Sequence, residues 1–272
     1  MNKAAIVLIV FFIFLMSSIG NIYAAPINNI IAFGDSFSDG GNNGRYSDGA
    51  LWLEVFAEKL NLPVPLSSGL GGFNFAHSGA MSGNENSAST VNVGKQIKTY
   101  LDLNGGKADP DALHVLWVGG NDFLDKRNPF DVIDNIVNHV ETLADAGVTQ
   151  FFVPNLPSLV YAPKGEEMIK AMVDASMEYV PGSLEPIVSS FINNTVHVSV
   201  YLYGMHLERR LKEVAIAKNV NIYYLDLFST FNQIFNDLES YGINDKAELF
   251  YDNMHPNAKG HELIAELAFG VL

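Results

Sequence analysis

Two segments of the sequence carry residues whose types suit nucleophilic chemistry. Ser36 lies in GDSFSDGGNN (Gly34 to Asn43), a turn-like segment that follows an apolar run, and Asp252 and His255 lie in DNMHPN near the end of the chain. A serine hydroxyl becomes a strong nucleophile only when a base accepts its proton and a third group holds that base in place. The two segments together contain a nucleophile, a base and an orienting acid.

The spacing within the second segment supports these roles. An aspartate three residues ahead of a histidine can reach the imidazole Nδ1, which leaves Nε2 free to face a serine. Each segment alone also has an ordinary structural explanation, since Gly-Asp-Ser is a common turn and Asp, Asn and Pro suit a helix start. Asp226 is the alternative orienting acid, but a turn role is favoured for it because Asp252 has the required spacing.

Four short apolar runs predict the strands that position these residues. They are typical of buried parallel strands, and each is followed by a polar or glycine-containing turn. The predicted strands are Asn29 to Phe33, Leu113 to Val118, Gln150 to Val153 and Ile222 to Leu225.

Helical patterns alternate with the strands. The predicted helices are Leu51 to Leu60, Val93 to Leu103, Val132 to Ala146, Val196 to Lys218, Phe228 to Leu238 and Ala258 to Phe269. The alternation predicts an α/β fold with three layers, α/β/α, around a mostly parallel, doubly wound sheet. Ligands of such sheets bind beyond the carboxyl ends of the strands. GDSFSDGGNN and GGND (Gly119 to Asp122) follow the first two strands and are expected at that edge.

Together with Gly79 in NFAHSGA (Asn74 to Ala80) and Asn121 in GGND, these segments resemble the GDSL or SGNH hydrolase family in order and separation. The resemblance extends over nearly all of the chain after residue 25. Phe37 stands where the family name has leucine. The stretch PNLPSLVYAP (Pro154 to Pro163) also resembles a segment of lipolytic members.

The resemblance implies a flavodoxin-like SGNH hydrolase fold and a serine ester hydrolase. Ser36 is then the nucleophile, His255 the general base and Asp252 the acid that orients the histidine. The implied oxyanion hole consists of the backbone amides of Ser36 and Gly79 and the side-chain amide of Asn121.

Within the family, a lipid acyl ester is the expected substrate, with lysophospholipase, phospholipase or lipase activity and acyltransferase activity as an addition. A carbohydrate or short-chain acetylesterase is the alternative among enzymes. A non-catalytic lipid-binding or glycan-binding module on the same scaffold is the alternative from another class.

The first residues have the layout of a secretory signal peptide. Lys3 is their only charge, an apolar stretch runs from Ala4 to Met16, and small residues stand at Ala24 and Ala25. A retained membrane anchor is disfavoured because the apolar stretch is shorter than the roughly 20 residues that span a bilayer. We therefore expect cleavage after residue 24, export to the periplasm or medium, and a single domain over residues 25–272. The chain has no cysteine, so packing must stabilise it.

The formal net charge of -14, from 30 acidic and 16 basic residues, bears on possible partners. Such a surface repels polyanions, so nucleic acid is not expected as a partner, and contact with an anionic membrane surface is expected to be transient at most. The expected partner is a small-molecule or lipid ester substrate.

No cofactor and no metal are expected. His261 and Glu262 open like a zinc-protease helix, but position 265 is alanine, so the second histidine is missing. Five other histidines have no partner at a ligand spacing and are expected to be structural or surface residues; they are His77, His114, His139, His197 and His206.

The segment from Lys164 to Pro186 contains Met168, Met172 and Met177. A mobile apolar lid that accepts acyl chains is one interpretation, because methionine adapts to irregular ligands. Ordinary helix packing is the favoured interpretation.

Overall fold

The computed structural model describes residues 26–85 and 90–272. The predicted signal peptide, residues 1–24, lies outside them. The four strands are β1 (Asn29–Gly34), β2 (Ala112–Trp117), β3 (Gln150–Pro154) and β4 (Asn221–Leu225). Each coincides with a predicted strand to within one residue at either end.

Eight α-helices accompany the strands in the described ranges. They are α1 (Trp52–Lys59), α2 (Val93–Leu103), α3 (Gly120–Leu124), α4 (Pro129–Asp145), α5 (Pro163–Met177), α6 (Glu185–Lys218), α7 (Leu227–Asn236) and α8 (Ala258–Phe269). None of the described helices combines the length and the apolar composition that a membrane crossing requires.

The four strands pair in parallel in the order β1-β2-β3-β4. Alternate residues of β1 point to opposite faces of the sheet, as in any strand. Ile31 and Phe33 pack with apolar residues of α2, α4 and α6. Ile30 and Ala32 pack with residues of α1, α7 and α8 on the other face. The predicted three-layer α/β/α fold is therefore confirmed.

A short segment, residues 73–77, lies along the outer edge of β1 and was not predicted as a strand. The Ala32 amide donates to the Phe73 carbonyl at 3.0 Å, the Phe75 amide donates to the Ala32 carbonyl at 2.8 Å, and Asn74 forms a parallel bridge with Ala32. This segment precedes β2 in sequence but lies on the other side of β1. With it included, the order matches the flavodoxin-like arrangement.

The structure corrects the start of α6, which begins at Glu185 rather than at Val196. Its early turns leave Ile187 and Phe191 exposed. Apolar residues therefore do not mark a single buried face there, and helical periodicity is visible only from Val196 onward.

Residues between Lys164 and Pro186 form helix α5, a 3-10 turn at Gly182–Leu184 and the start of α6. Ile169 and Val173 of α5 pack against Ile192 and Val196 of α6 in a small separate cluster. Helix packing, the favoured interpretation of this segment, is thus what the structure has.

Candidate active site

The structure brings the three predicted catalytic residues together at the carboxyl edge of the sheet. Ser36 lies in the turn after β1, and His255 lies just before α8. The Ser36 Oγ is 2.8 Å from the His255 Nε2, and the His255 Nδ1 is 2.7 Å from the Asp252 Oδ2. This Ser-His-Asp chain allows the hydroxyl proton to pass to the imidazole while the carboxylate stabilises the imidazolium that forms.

The loop that carries the histidine is held by the aspartate itself. The Asp252 Oδ1 accepts hydrogen bonds from the amides of Met254 at 2.8 Å and His255 at 2.7 Å. Burial opposes the negative charge, but the hydrogen bonds from His255 and Met254 outweigh it and hold the pKa of Asp252 below its ordinary value. The acid is therefore ionised at neutral pH, as its orienting role requires.

An aromatic ring that the sequence did not point to covers the histidine. Tyr46 stacks on His255 with ring centroids 4.4 Å apart and an angle of 22° between the planes. Its neighbour Arg45 forms an ion pair with Glu54 of α1 and donates to the Gly49 carbonyl. The loop that holds Tyr46 is thereby tied to a helix, so Tyr46 limits the rotation of the imidazole.

The other polar residues of GDSFSDGGNN build the turn. The Asp39 carboxylate accepts hydrogen bonds from the amides of Gly41, Asn42 and Asn43 and from both the amide and hydroxyl of Ser78. These bonds tie the nucleophile turn to the segment that carries Gly79. The hydrogen bonds to Asp39 thus explain why turn-forming residues are frequent around Ser36.

The predicted oxyanion donors lie on neighbouring loops. Gly79 has φ of 81°, a left-handed conformation that favours glycine. The Asn121 Nδ2 donates to the Ala80 carbonyl at 2.9 Å, which leaves its second N–H for another acceptor. Over residues 26–85 and 90–272, the amides of Ser36 and Gly79 have no acceptor. Free donors on adjacent loops are what stabilisation of a tetrahedral oxyanion requires.

Asp35, beside the nucleophile, is a buried carboxyl that the sequence did not single out. Burial raises the pKa of Asp35 to about 7, the nearby Asp122 and Asp39 carboxylates add to the rise, and the hydrogen bond from the Phe37 amide opposes it. Burial also raises the pKa of Asp122, although the amide and hydroxyl of Ser82 donate to its carboxylate. Burial therefore shifts the pKa of both carboxyls in the direction of the neutral form.

Two apolar cavities border the site. The triad cavity, of about 60 Å³, is lined by Phe37, Met254 and Pro256 next to the triad residues and by Met168 of α5. The helix cavity, of about 570 Å³, lies among α3, α4, α5 and α6, and its lining includes Gly119, two residues before Asn121. Met168 lines both cavities and so stands at their common wall.

The remaining polar candidates have structural contacts. Asp226 caps α7, since its Oδ1 accepts from the Ser229 amide at 3.1 Å, which confirms the turn role. His114 is buried beside the Tyr100 hydroxyl, and burial lowers the pKa of His114 to about 4.

Two more of the histidines that were expected to be structural also have polar contacts within the protein. The His139 Nε2 lies 2.7 Å from the Ser82 carbonyl, and the His197 Nδ1 lies 3.0 Å from the Ser158 hydroxyl. Among residues 26–85 and 90–272, no three side chains of histidine, aspartate or glutamate form a group that would hold a metal ion.

Comparison with known proteins gives a consistent family. A model of the family described as GDSL-like Lipase/Acylhydrolase matches residues 30–268. The chain is 33% identical over 169 residues to Lipase 1 of Photorhabdus luminescens, covering 57% of this chain and 26% of that protein. It is 30% identical over 168 residues to the thermolabile hemolysin of Vibrio parahaemolyticus, covering 54% of this chain and 38% of that protein. The chain thus spans less than half the length of these two relatives.

A solved structure shows the same fold. The family 3 carbohydrate esterase of Clostridium thermocellum superposes with a TM-score of 0.51 at 16% sequence identity, over 90% of this chain and 94% of that one. At this identity the likeness concerns the fold alone.

The buried Asp35 generates a prediction about stability. Its pKa is about 7 in the folded chain against 3.8 for an unperturbed aspartate, so the folded state binds more protons between these values and loses stability as the pH rises through them. Asp35→Asn keeps an oxygen for the Phe37 amide and removes the charge. The variant should be more stable than wild type at pH 8, by up to about 4 kcal/mol, and the gain should vanish near pH 4. Urea unfolding at both pH values measures the difference.

The exposed Asp111 supplies a matched control, because Asp111→Asn should change stability by no more than about 0.5 kcal/mol at either pH. A gain of the same size at pH 4 and pH 8 for Asp35→Asn would show that the charge of Asp35 is not its cause.

Proposed function

The chain belongs to the GDSL-like lipase/acylhydrolase family, and from that premise we propose that it cleaves lipid acyl esters through an acyl-enzyme formed at Ser36. The family and its esterase and lipase members identify the chain as a serine carboxylic ester hydrolase. The observation that carries the proposed mechanism is the continuous contact from the Ser36 Oγ through the His255 ring to the Asp252 carboxylate.

In the proposed first step, the Ser36 Oγ attacks the ester carbonyl while His255 accepts the hydroxyl proton. The developing oxyanion receives hydrogen bonds from the amides of Ser36 and Gly79 and from the Asn121 side chain. His255 then gives the proton to the leaving alcohol. Water, activated by the same histidine, releases the acid from Ser36. An alcohol in place of water would give acyl transfer by the same step.

The two cavities support a lipid acyl chain. The triad cavity has room for the first carbons of an acyl group, and the helix cavity beyond Met168 falls within the range of 300 to 1,000 Å³ typical of ligand pockets. Both are lined mainly by apolar side chains. The name of Lipase 1, a relative, agrees with this assignment. The preferred lipids are neutral or zwitterionic, because the net charge of -14 disfavours an anionic surface.

We also propose that the enzyme is exported, secreted or periplasmic, on the strength of the N-terminal sequence. The charged start, apolar stretch and small residues of residues 1–24 support this proposal. Lipid substrates outside the cytoplasm are consistent with it.

One observation favours a second candidate function. The triad cavity, at about 60 Å³, suits an acetyl group better than a long chain if Met168 keeps it separate from the helix cavity. The enzyme would then be a short-chain or carbohydrate acetylesterase. Chain-length dependence separates the two functions.

Removal of the triad residues should abolish turnover while the fold remains. Ser36→Ala and His255→Ala should each lower kcat by about 10⁶-fold, and Asp252→Ala should cost about a hundredfold less. Hydrolysis of p-nitrophenyl butyrate by purified variants measures the loss, with circular dichroism as the check on folding. Asp252→Asn is a useful companion, because its oxygen can still accept the loop amides while the carboxylate is lost.

A fluorophosphonate probe tests the same assignment without a substrate. It should label wild type and fail to label Ser36→Ala. A folded Ser36→Ala protein with full activity, or a wild type that the probe does not label, would contradict a catalytic Ser36 and favour the non-catalytic binding module.

Loss of the Asn121 amide should affect the transition state more than binding. Asn121→Ala should lower kcat by about 10²- to 10³-fold with little change in KM, as expected for one oxyanion donor. Asn135→Ala is the control, because the side-chain amide of Asn135, on α4, donates to the Ser82 hydroxyl and takes no part in the proposed step. A change confined to KM for Asn121→Ala would show that the amide binds substrate only.

The acyl-chain assignment predicts a gain with chain length. In wild type, kcat/KM should rise from acetyl toward decanoyl esters, by about fourfold for each methylene that becomes fully buried. Met168→Ala should raise the decanoyl-to-acetyl ratio further, because it opens the wall between the cavities. Met177→Ala, which removes a methionine of the same helix that lines neither cavity, should leave the ratio near the wild-type value. Highest kcat/KM on acetyl esters in wild type and both variants would favour the acetylesterase.

A further inference from the structure

The helix cavity contains a buried hydroxyl group that the proposed mechanism does not use. Tyr203 of α6 lines the cavity and is only 7% exposed. Within the described part of the chain, its hydroxyl has no hydrogen-bond partner. A buried hydroxyl without a partner costs free energy, so its retention in a mainly apolar pocket requires an explanation.

The position of this hydroxyl links the cavity to the catalytic edge. A side chain built on Gly119 would place its Cβ 3.0 Å from the Tyr203 hydroxyl, so the phenol lies directly against the glycine that precedes α3. Asn121, the proposed oxyanion donor, lies two residues further along the same turn. A molecule that reaches Tyr203 from the cavity therefore also reaches the loop of the oxyanion hole.

The surroundings determine what the hydroxyl can bind. Burial raises the pKa of Tyr203, and the Asp122 and Asp35 carboxyls add to the rise, so the phenol remains protonated and can donate. A neutral acceptor, such as an ester, ketone or alcohol oxygen, fits a protonated phenol in a mainly apolar pocket, because it accepts the hydrogen bond without bringing a charge out of water.

Tyr224, a partly buried tyrosine near Tyr203, provides a comparison, because its hydroxyl has a partner within the protein. The Tyr224 hydroxyl of β4 donates to the Gly204 carbonyl at 2.8 Å, one residue after Tyr203 in the chain. Tyr224 does not line the helix cavity. The two phenols thus differ in hydrogen bonding. The Tyr224 hydroxyl has a partner in the protein, whereas the Tyr203 hydroxyl has none and belongs to a residue that lines the cavity.

We propose that the helix cavity binds the chain of a neutral single-chain amphiphile and that the Tyr203 hydroxyl donates a hydrogen bond to its neutral oxygen. Met168, Met172 and Val200 surround the chain. This proposal rests on the proposed lipid esterase function. It narrows the substrate class to acyl esters of neutral alcohols, such as monoacylglycerols. Tyr203 is then a specificity-determining residue that distinguishes an oxygen-bearing chain from a plain hydrocarbon.

The test separates this proposal from esterase activity by using a probe with no bond to hydrolyse. Binding of 1-decanol to wild type and to Tyr203→Phe is measured by isothermal titration calorimetry. Tyr203→Phe should raise the Kd by about tenfold, because the decanol oxygen loses its donor in a buried site. The same substitution should raise Tm by about 2 °C or more, since it removes an unsatisfied buried hydroxyl.

Tyr224→Phe is the matched control. It should lower Tm, because it removes a hydroxyl that the protein satisfies, and should leave the decanol Kd unchanged. A decanol Kd that does not rise in Tyr203→Phe, or a Tm that falls, would overturn the proposal by showing that the hydroxyl binds nothing in the cavity or is satisfied within the protein. Failure of the proposed lipid esterase function would appear separately, as absence of long-chain ester turnover in wild type with decanol binding retained.

Discussion

The close approach of the first two strands at Gly34 is the contact on which the site depends. A Cβ at Gly34 would lie 2.2 Å from the Trp117 carbonyl oxygen, so no side chain fits there. The Gln96 side chain bonds both the amide and the carbonyl of Gly34 and fixes the last residue of β1. The chain must turn immediately beyond it, and Ser36 is presented two residues later. The position of the nucleophile is therefore a consequence of how β1 ends beside β2.

Around that turn, polar side chains form hydrogen bonds with backbone groups, and the Ser36 hydroxyl remains available to His255. Asp39 accepts amides from its own turn and from Ser78, and the Asn74 amide donates to the Ser38 carbonyl at 2.6 Å. The fold thus buries carboxyls and amides as scaffold close to the nucleophile. Asp35 is the member of this group whose charged form costs the most free energy, because burial removes its carboxylate from water. Its neutral form has a compensating effect, since a buried anion next to Ser36 would oppose the oxyanion that the proposed reaction creates.

The sequence was sufficient for the strands and for the Asp252 to His255 contact, because both depend on local patterns. Buried parallel strands are continuous apolar runs, and a spacing of three residues brings an acid to a histidine within one loop. It was not sufficient for Tyr46, whose ring reaches His255 from a distant part of the chain. The unpartnered hydroxyl of Tyr203 was equally invisible, since satisfaction of a buried group depends on tertiary neighbours. The early turns of α6 lacked a signal because their apolar residues are exposed.

The part of the chain with the weakest sequence pattern is also joined to the catalytic loop. The Lys164 amide at the start of α5 donates to the Asn253 carbonyl at 2.7 Å, within the loop between Asp252 and His255. Glu166 of the same helix forms an ion pair with Lys246, in the 3-10 turn that precedes this loop. Helix α5, which carries Met168, is thus bound to the loop region that contains the catalytic His255. Under the proposed function, a chain that displaces Met168 would act on the same helix that holds the histidine loop, and a movement of α5 would couple chain binding to the placement of His255. Specificity for the chain would then appear in kcat as well as in KM, because the displaced helix alters the position of a reacting group.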